Sequence, residues 1–188
     1  MFLERGFEGA SVEEIADVAR AGKPTIYARF PGKEALFAAV MARKVRENTN
    51  SFESIAPIGA TLEERLASIA VAILRKVLVA DIVGLIRVAA AEARRFPDLA
   101  ASVHRTARER GTEAIAQLLG ELPESDKLPA FAADRRAATA GHFLELILPP
   151  MLVRALFGED LAALRAEIGP HVARKVAFFF AACRQGGV

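Results

Sequence analysis

Apolar residues in this chain recur every three or four positions and do not alternate, so helices are predicted and strands are not. Val12, Ile15, Ala16 and Ala19 form one stripe, and Arg20-Ala21-Gly22 interrupts it. Pro24 then opens a second short helix, because a first-turn residue has no intrahelical use for its N–H. That helix closes near Phe30-Pro31-Gly32, and a third begins at Lys33 with Phe37, Val40, Met41 and Val45 on one side. Ser11 is placed to cap the first helix, with Glu14 three residues on to complete a capping box. Gly22 can cap the second at a small loss against Ser. Two short helices joined by a turn of about three residues make a helix-turn-helix pattern.

Beyond Val45, the polar run Glu47 to Ser51 weakens the third helix, and Pro57-Ile58-Gly59 ends the region. A junction near 46–60 divides the chain into a head, 1–46, and a larger body, 47–188. Thr61 with Glu64 is a second capping box, opening a helix with Leu62, Leu66, Ile69, Ile73 and Val77 inward. Asp81 is expected to cap the next, whose stripe is Ile82, Leu85, Ile86, Ala89, Ala93 and Phe96. After Pro97 come Leu99, Val103, Ala107, Ala114 and Leu118. Gly120 to Pro129, with two prolines and three acidic residues, reads as a loop.

Two long helices follow, within Ala130–Leu156 and Pro170–Arg184, and Pro149-Pro150 is expected to kink or end the first. Phe178, Phe179 and Phe180 sweep about 200° of a helix, so packing on one side leaves a ring exposed. A second copy of the chain can cover it, two helices from each subunit forming a four-helix interface about a two-fold axis. The fold class is therefore all-α. A three-helix helix-turn-helix domain joins a larger helical dimerisation domain, about nine helices in total.

Charge sharpens the reading of the head. From Arg20 to Lys33 the ionisable groups are Arg20, Lys23, Arg29 and Lys33 with no carboxylate, while the preceding helix carries Glu13, Glu14 and Asp17. A basic helix with an exposed tyrosine suits phosphate and major-groove contact. The net charge of +2 is too small for a general polyanion binder, so any nucleic-acid footprint is local. The lone Cys183 excludes an intramolecular disulfide and suits a reducing cytosol. The richest apolar run, Phe143 to Phe157, is broken by Glu145, two prolines and Arg154, which argues against a membrane span and for a cytoplasmic protein. His104, His142 and His171 are too scattered for a metal motif, and no nucleophile elbow, phosphate loop or dinucleotide glycine pattern occurs. No catalytic residue, metal or cofactor is expected.

The segments ERGFEGASVEEIA and KPTIYARFPGKEALF resemble the N-terminal domain of the TetR family of transcriptional regulators. Glu4-Arg5-Gly6-Phe7, Ser11, Tyr27 with Phe30, and Lys33-Glu34-Ala35-Leu36 fall in the family's order. Arg20-Ala21-Gly22 replaces its usual Gly-Val-Ser-like turn. Only Met1, Phe2 and Leu3 precede ERGF where members carry ten or more residues, so either the natural start lies upstream or helix 1 is shortened. RVAAAEARRFPDLAASV, Arg87 to Val103, is more loosely similar to a regulatory segment of one subgroup.

The resemblance implies a double-stranded DNA operator contacted by Ser11, Lys23, Thr25, Tyr27, Arg29 and Lys33. Tyr27 and Lys33 look like phosphate contacts. Lys23 and Thr25, with Ala28 beside them, sit where base edges are read, and Ile15, Ile26 and Phe30 form the small core. It also implies a small hydrophobic or aromatic effector bound in the body. Polar residues in apolar context there are Arg87, His104, Arg108, His142 and Glu145. Each has a plainer reading: Arg87 and Arg108 as solvated or paired charges, His104 as a surface residue, His142 as a hydrogen-bonded core histidine. The function expected is a homodimeric regulator, a repressor released by its effector. The alternative is a dimeric α-helical small-molecule-binding protein that has lost DNA binding.

Overall fold

A computed structural model describes residues 1–50, 56–121 and 128–185. Among them are nine α-helices and no strand, and the fold is all-α. In order they are α1 (Phe2–Arg5), α2 (Val12–Ala19), α3 (Lys23–Arg29), α4 (Lys33–Asn50), α5 (Leu62–Val77), α6 (Ala80–Ala91), α7 (Pro97–Gly120), α8 (Arg136–Leu156) and α9 (Leu161–Arg184). A short 3-10 turn, Pro129–Phe131, precedes α8. Most of the predicted Gly120–Pro129 loop lies outside the described residues. No described helix is long and apolar enough to cross a membrane.

Local chemistry starts and stops these helices. Thr61 and Glu64 form the full capping box at α5, and Asp160 caps α9 by accepting from the Ala163 N–H at 2.8 Å. Ser11 caps α2, but the box there is half formed: Glu14 turns its carboxylate to Arg5, 3.0 Å away. Asp81 is not the cap of α6. Val79 holds that position without a side-chain bond, and Asp81 sits in the first turn, 3.7 Å from Lys44 of α4. Two arginines from distant helices donate to carbonyls at helix ends. Arg87 donates to Ala155 and Leu156 at the end of α8, and Arg165 to Arg75 and Leu78 at the end of α5.

Pro149 and Pro150 do not end α8, which continues to Leu156. Both face solvent, while Phe143, Leu144, Ile147, Met151 and Ala155 on the opposite side are buried and hold the helix to the core. Burial of that side offsets the two missing backbone donors. Predicted stripes also shift in α6 and α7. α6 ends at Ala91, leaving Ala93 and Phe96 in the connection to α7, and buries Val83 and Val88 beside Leu85 and Ala89. In α7, Ala114 is exposed and Ile115 takes the inward place; the side chain of Ala107 lies outside the described residues. Gly111 lets α7 approach α8, since a Cβ there would stand 2.9 Å from Leu144.

The buried apolar residues form two clusters. One joins α5, the second half of α7, α8 and α9 around Phe131, Phe143 and Phe179. The other centres on Phe37 of α4, whose ring lies 5.1 Å from Phe2, 5.2 Å from Phe7 and 4.9 Å from Phe96. That second cluster takes in Leu85, Val88 and Ala89 of α6, so α6 is apolar toward both cores. Of the three successive phenylalanines of α9, Phe179 and Phe180 are buried and Phe178 is 61% exposed.

Candidate nucleic-acid interface

Arg20 makes the turn between α2 and α3. It takes a left-handed conformation (φ 50°) uncommon outside glycine, and the Ala21 N–H bonds back to Ala16 at 3.0 Å. Gly22 then accepts the Thr25 and Ile26 N–H groups through its carbonyl, starting α3. Ile26 and Phe30 lean on the inner core with Ile15. Packing of that side turns Lys23, Thr25, Tyr27, Ala28 and Arg29 outward, all exposed. The result is a short helix with a basic and hydroxyl-bearing outer face, free of carboxylates along its length.

The six residues expected at DNA differ in what already holds them. The Ser11 Oγ accepts from the Glu14 N–H, and its O–H donates to the Glu13 carboxylate. Lys23 is paired with Glu13 of α2; the ammonium holds that carboxyl below its usual range, and the carboxylate holds the lysine above its own. Lys33 is half-buried. Its ammonium lies 4.7 Å from the centre of the Phe7 ring and donates to the Glu8 carbonyl at 3.2 Å. The Arg29 guanidinium lies 6.0 Å from the Phe30 ring.

Sequence reasoning did not find the residue that reaches this region from farthest away. Arg95, in the α6–α7 connection, pairs with Glu8 and with Glu34, the latter at 2.8 Å, and lies 4.1 Å from the Phe7 ring. Nothing in the local pattern marks it, because its partners stand 87 and 61 residues away.

In the body, four of the five candidate ligand residues come together. His104 and Arg108 of α7 and His142 and Glu145 of α8 line one open groove with Arg105 and Thr112. Arg108 and Glu145 close on each other at 2.7 Å across it. Arg87 lies elsewhere, capping α8. His142 is not a core histidine: it is exposed on the outer face of α8. The buried histidine is His171 of α9, whose Nε2 lies 3.0 Å from the Ile147 carbonyl.

Comparison with known proteins agrees with this architecture. Residues 1–40 match the family described as bacterial regulatory proteins, tetR family, and residues 64–185 match the AefR-like transcriptional repressor C-terminal domain. The chain belongs to the TetR family of transcriptional regulators. It is similar to a Mesorhizobium loti MAFF303099 protein described as a TetR-family transcriptional regulator, at 25% identity and a TM-score of 0.79, over 96% of this chain and 89% of that one. The flavonoid-responsive regulator FrrA is 31% identical with a TM-score of 0.63, over 96% and 90%. Salmonella enterica GusR, 18% identical with a TM-score of 0.58 over 96% and 88%, shares the fold. No curated protein sequence matches the chain.

Proposed function

We propose that this chain is a cytoplasmic, homodimeric DNA-binding repressor, released from a double-stranded operator by a small aromatic effector. The observation that carries the reading is the outer face of α3, where Lys23, Thr25, Tyr27 and Arg29 are exposed on a helix fixed by its inner side. Tyr27 and Lys33 hold phosphates, Ser11 adds one donor at the start of α2, and Lys23 and Thr25 read base edges. Residues 1–46 act as the reading head and 47–188 as the regulatory and dimerisation body. The proteins it resembles are regulators, which favours this role over catalysis.

Two copies meet through α8 and α9. Val153, Phe157 and Phe178 expose large apolar surface there, Phe157 at 89%. A palindromic operator needs such a dimer to place two recognition helices. The effector enters the groove between α7 and α8, where His104, Thr112 and His142 offer hydrogen-bond partners and the Arg108–Glu145 pair opens. FrrA is flavonoid-responsive, which favours a planar, hydroxyl-bearing aromatic class. Binding there shifts the population away from the DNA-competent state.

The test selects duplexes from a random-sequence library on the purified protein, then measures affinity of the Tyr27→Ala variant for the winner. The expected outcome is a palindromic winner, bound at least tenfold more weakly by the variant. No enrichment over several rounds sinks the DNA reading and leaves the alternative of a ligand-binding dimer. Phe178→Glu should yield monomers in sedimentation; an unchanged dimer refutes the α8–α9 interface.

A further inference from the structure

Four charges crowd the joint between head and body. Glu8 lies in the α1–α2 connection, Glu34 and Lys33 in the first turn of α4, and Arg95 in the α6–α7 connection. Arg95 holds both carboxylates, and Lys33 shares the Phe7 ring with it. Among the described residues no carboxylate pairs with Lys33; its ammonium has only the Glu8 carbonyl and the ring. The backbone beside Arg95 is fixed, because Phe96 packs on Phe7 at 5.3 Å and on Phe37 at 4.9 Å.

Exposed ion pairs add little to stability, so the consequence of this arrangement lies in what Lys33 is left free to do. Without Arg95, two bare carboxylates would be left on the side of the Phe7 ring cluster that also holds the Lys33 ammonium. The nearer of them captures it, as Glu13 already captures Lys23. Glu34 is useful where it is, since a carboxylate in the first turn suits the helix dipole. A cation is therefore needed from elsewhere to occupy it.

We propose that Arg95 is a positioning residue for DNA binding: by engaging Glu8 and Glu34 it keeps them off Lys33, whose ammonium then meets a DNA phosphate. This rests on the reading of α3 and its neighbours as the DNA face. Arg95 itself touches no DNA. It acts from the body, so the strength of a phosphate contact in the head depends on where the α6–α7 connection stands.

The test is a double-mutant cycle with a rescue, using a fluorescent duplex selected from a random-sequence library on the wild-type protein. Arg95→Gln keeps part of the stem over Phe7 and removes the charge. Arg95→Gln and Lys33→Ala should each weaken binding about tenfold and flatten the salt slope by about 1.8 for a dimer, one phosphate contact per subunit. The double variant should be no weaker than either single one within about twofold. Adding Glu8→Gln and Glu34→Gln to Arg95→Gln should restore affinity, while the same two changes in the wild type should gain less than about threefold.

Additive losses, or a failed rescue in a variant that melts as the wild type does, overturn the proposal and leave DNA binding standing. If Arg95→Gln does not fold, Arg95→Lys should bind as the wild type, and a tenfold loss in that folded variant overturns it too. Failure of the wild type to enrich any duplex removes the DNA reading itself, and this inference with it.

Discussion

Glu13→Gln should tighten DNA binding, although Glu13 lies on α2 and is not a DNA contact. In the free protein its carboxylate holds Lys23, the cation nearest the start of α3. Removing the carboxylate leaves one unpaired ammonium per subunit at the DNA face. A lysine at a base edge displaces condensed counterions as one at a phosphate does, about 0.9 per charge in the slope of log affinity against log salt, so a dimer should steepen by about 1.8. Between 50 and 200 mM salt the variant then loses roughly twelvefold more affinity than the wild type. At 0.1 M salt the same slope sets an electrostatic limit of roughly 60-fold tighter binding. The pair is exposed and screened, which brings the expected gain to about tenfold. Fluorescence anisotropy with a library-selected duplex at four salt concentrations reads both numbers. The Lys23 hydrogen bond lowers the Glu13 pKa, so the carboxylate stays ionised from pH 5 to 8 and pH cannot mimic the substitution in that window. Equal slopes for the two proteins refute the reasoning: Lys23 then either brings no charge to the duplex or is not held by Glu13.

Phe37→Ala should cost about 3–5 kcal/mol of unfolding free energy, because the ring is fully buried and touches three others; a loss below about 2 kcal/mol by urea titration would contradict the core assignment. Glu167 is held below its ordinary value of 4.5, chiefly by its hydrogen bond to Arg154. A carboxyl lowered in the folded state stabilises above its unfolded pKa, and that stabilisation is lost as pH falls through the folded value. The melting temperature of the wild type should therefore exceed that of Glu167→Gln by a small margin at pH 7, and the gap should narrow as pH is lowered from 4.5 through the acid range. A gap that does not narrow over that titration would show that the pair is not its source.

Much of this molecule was legible because its signals are short in range. Ser11, Thr61 and Pro24 act within one helical turn, and the structure places helix starts where they indicate. The apolar stripe of α5 lies inward as its spacing predicts. What could not be read involves partners far along the chain. Asp81 has the chemistry of a cap, yet it sits in the first turn opposite Lys44. Arg87 looks like a polar residue in a pocket wall, and it serves the end of a helix almost 70 residues away. Pro149-Pro150 is a strong local breaker, overruled by the buried side of α8. α6 misled the pattern in another way, since a helix between two cores has no single apolar stripe. The candidate groove was half legible. Four of its residues were picked out as polar groups in apolar helices, but that they share one surface is a fact of how α7 lies along α8.

The aromatic cluster around Phe37 bears on how such a protein could be re-engineered. Reading heads and regulatory bodies invite exchange, with a cut in the α4–α5 region. Here that cut would leave Phe7 and Phe37 in one parent and Phe96, Leu85 and Val88 in the other. A chimera would inherit half a core from each, with mismatched volumes on both sides of the seam. Its failure to fold would say nothing about the compatibility of operator and effector. To graft this head elsewhere, residues 85–96 should travel with it, as a buried plug that belongs to the head in packing though not in sequence.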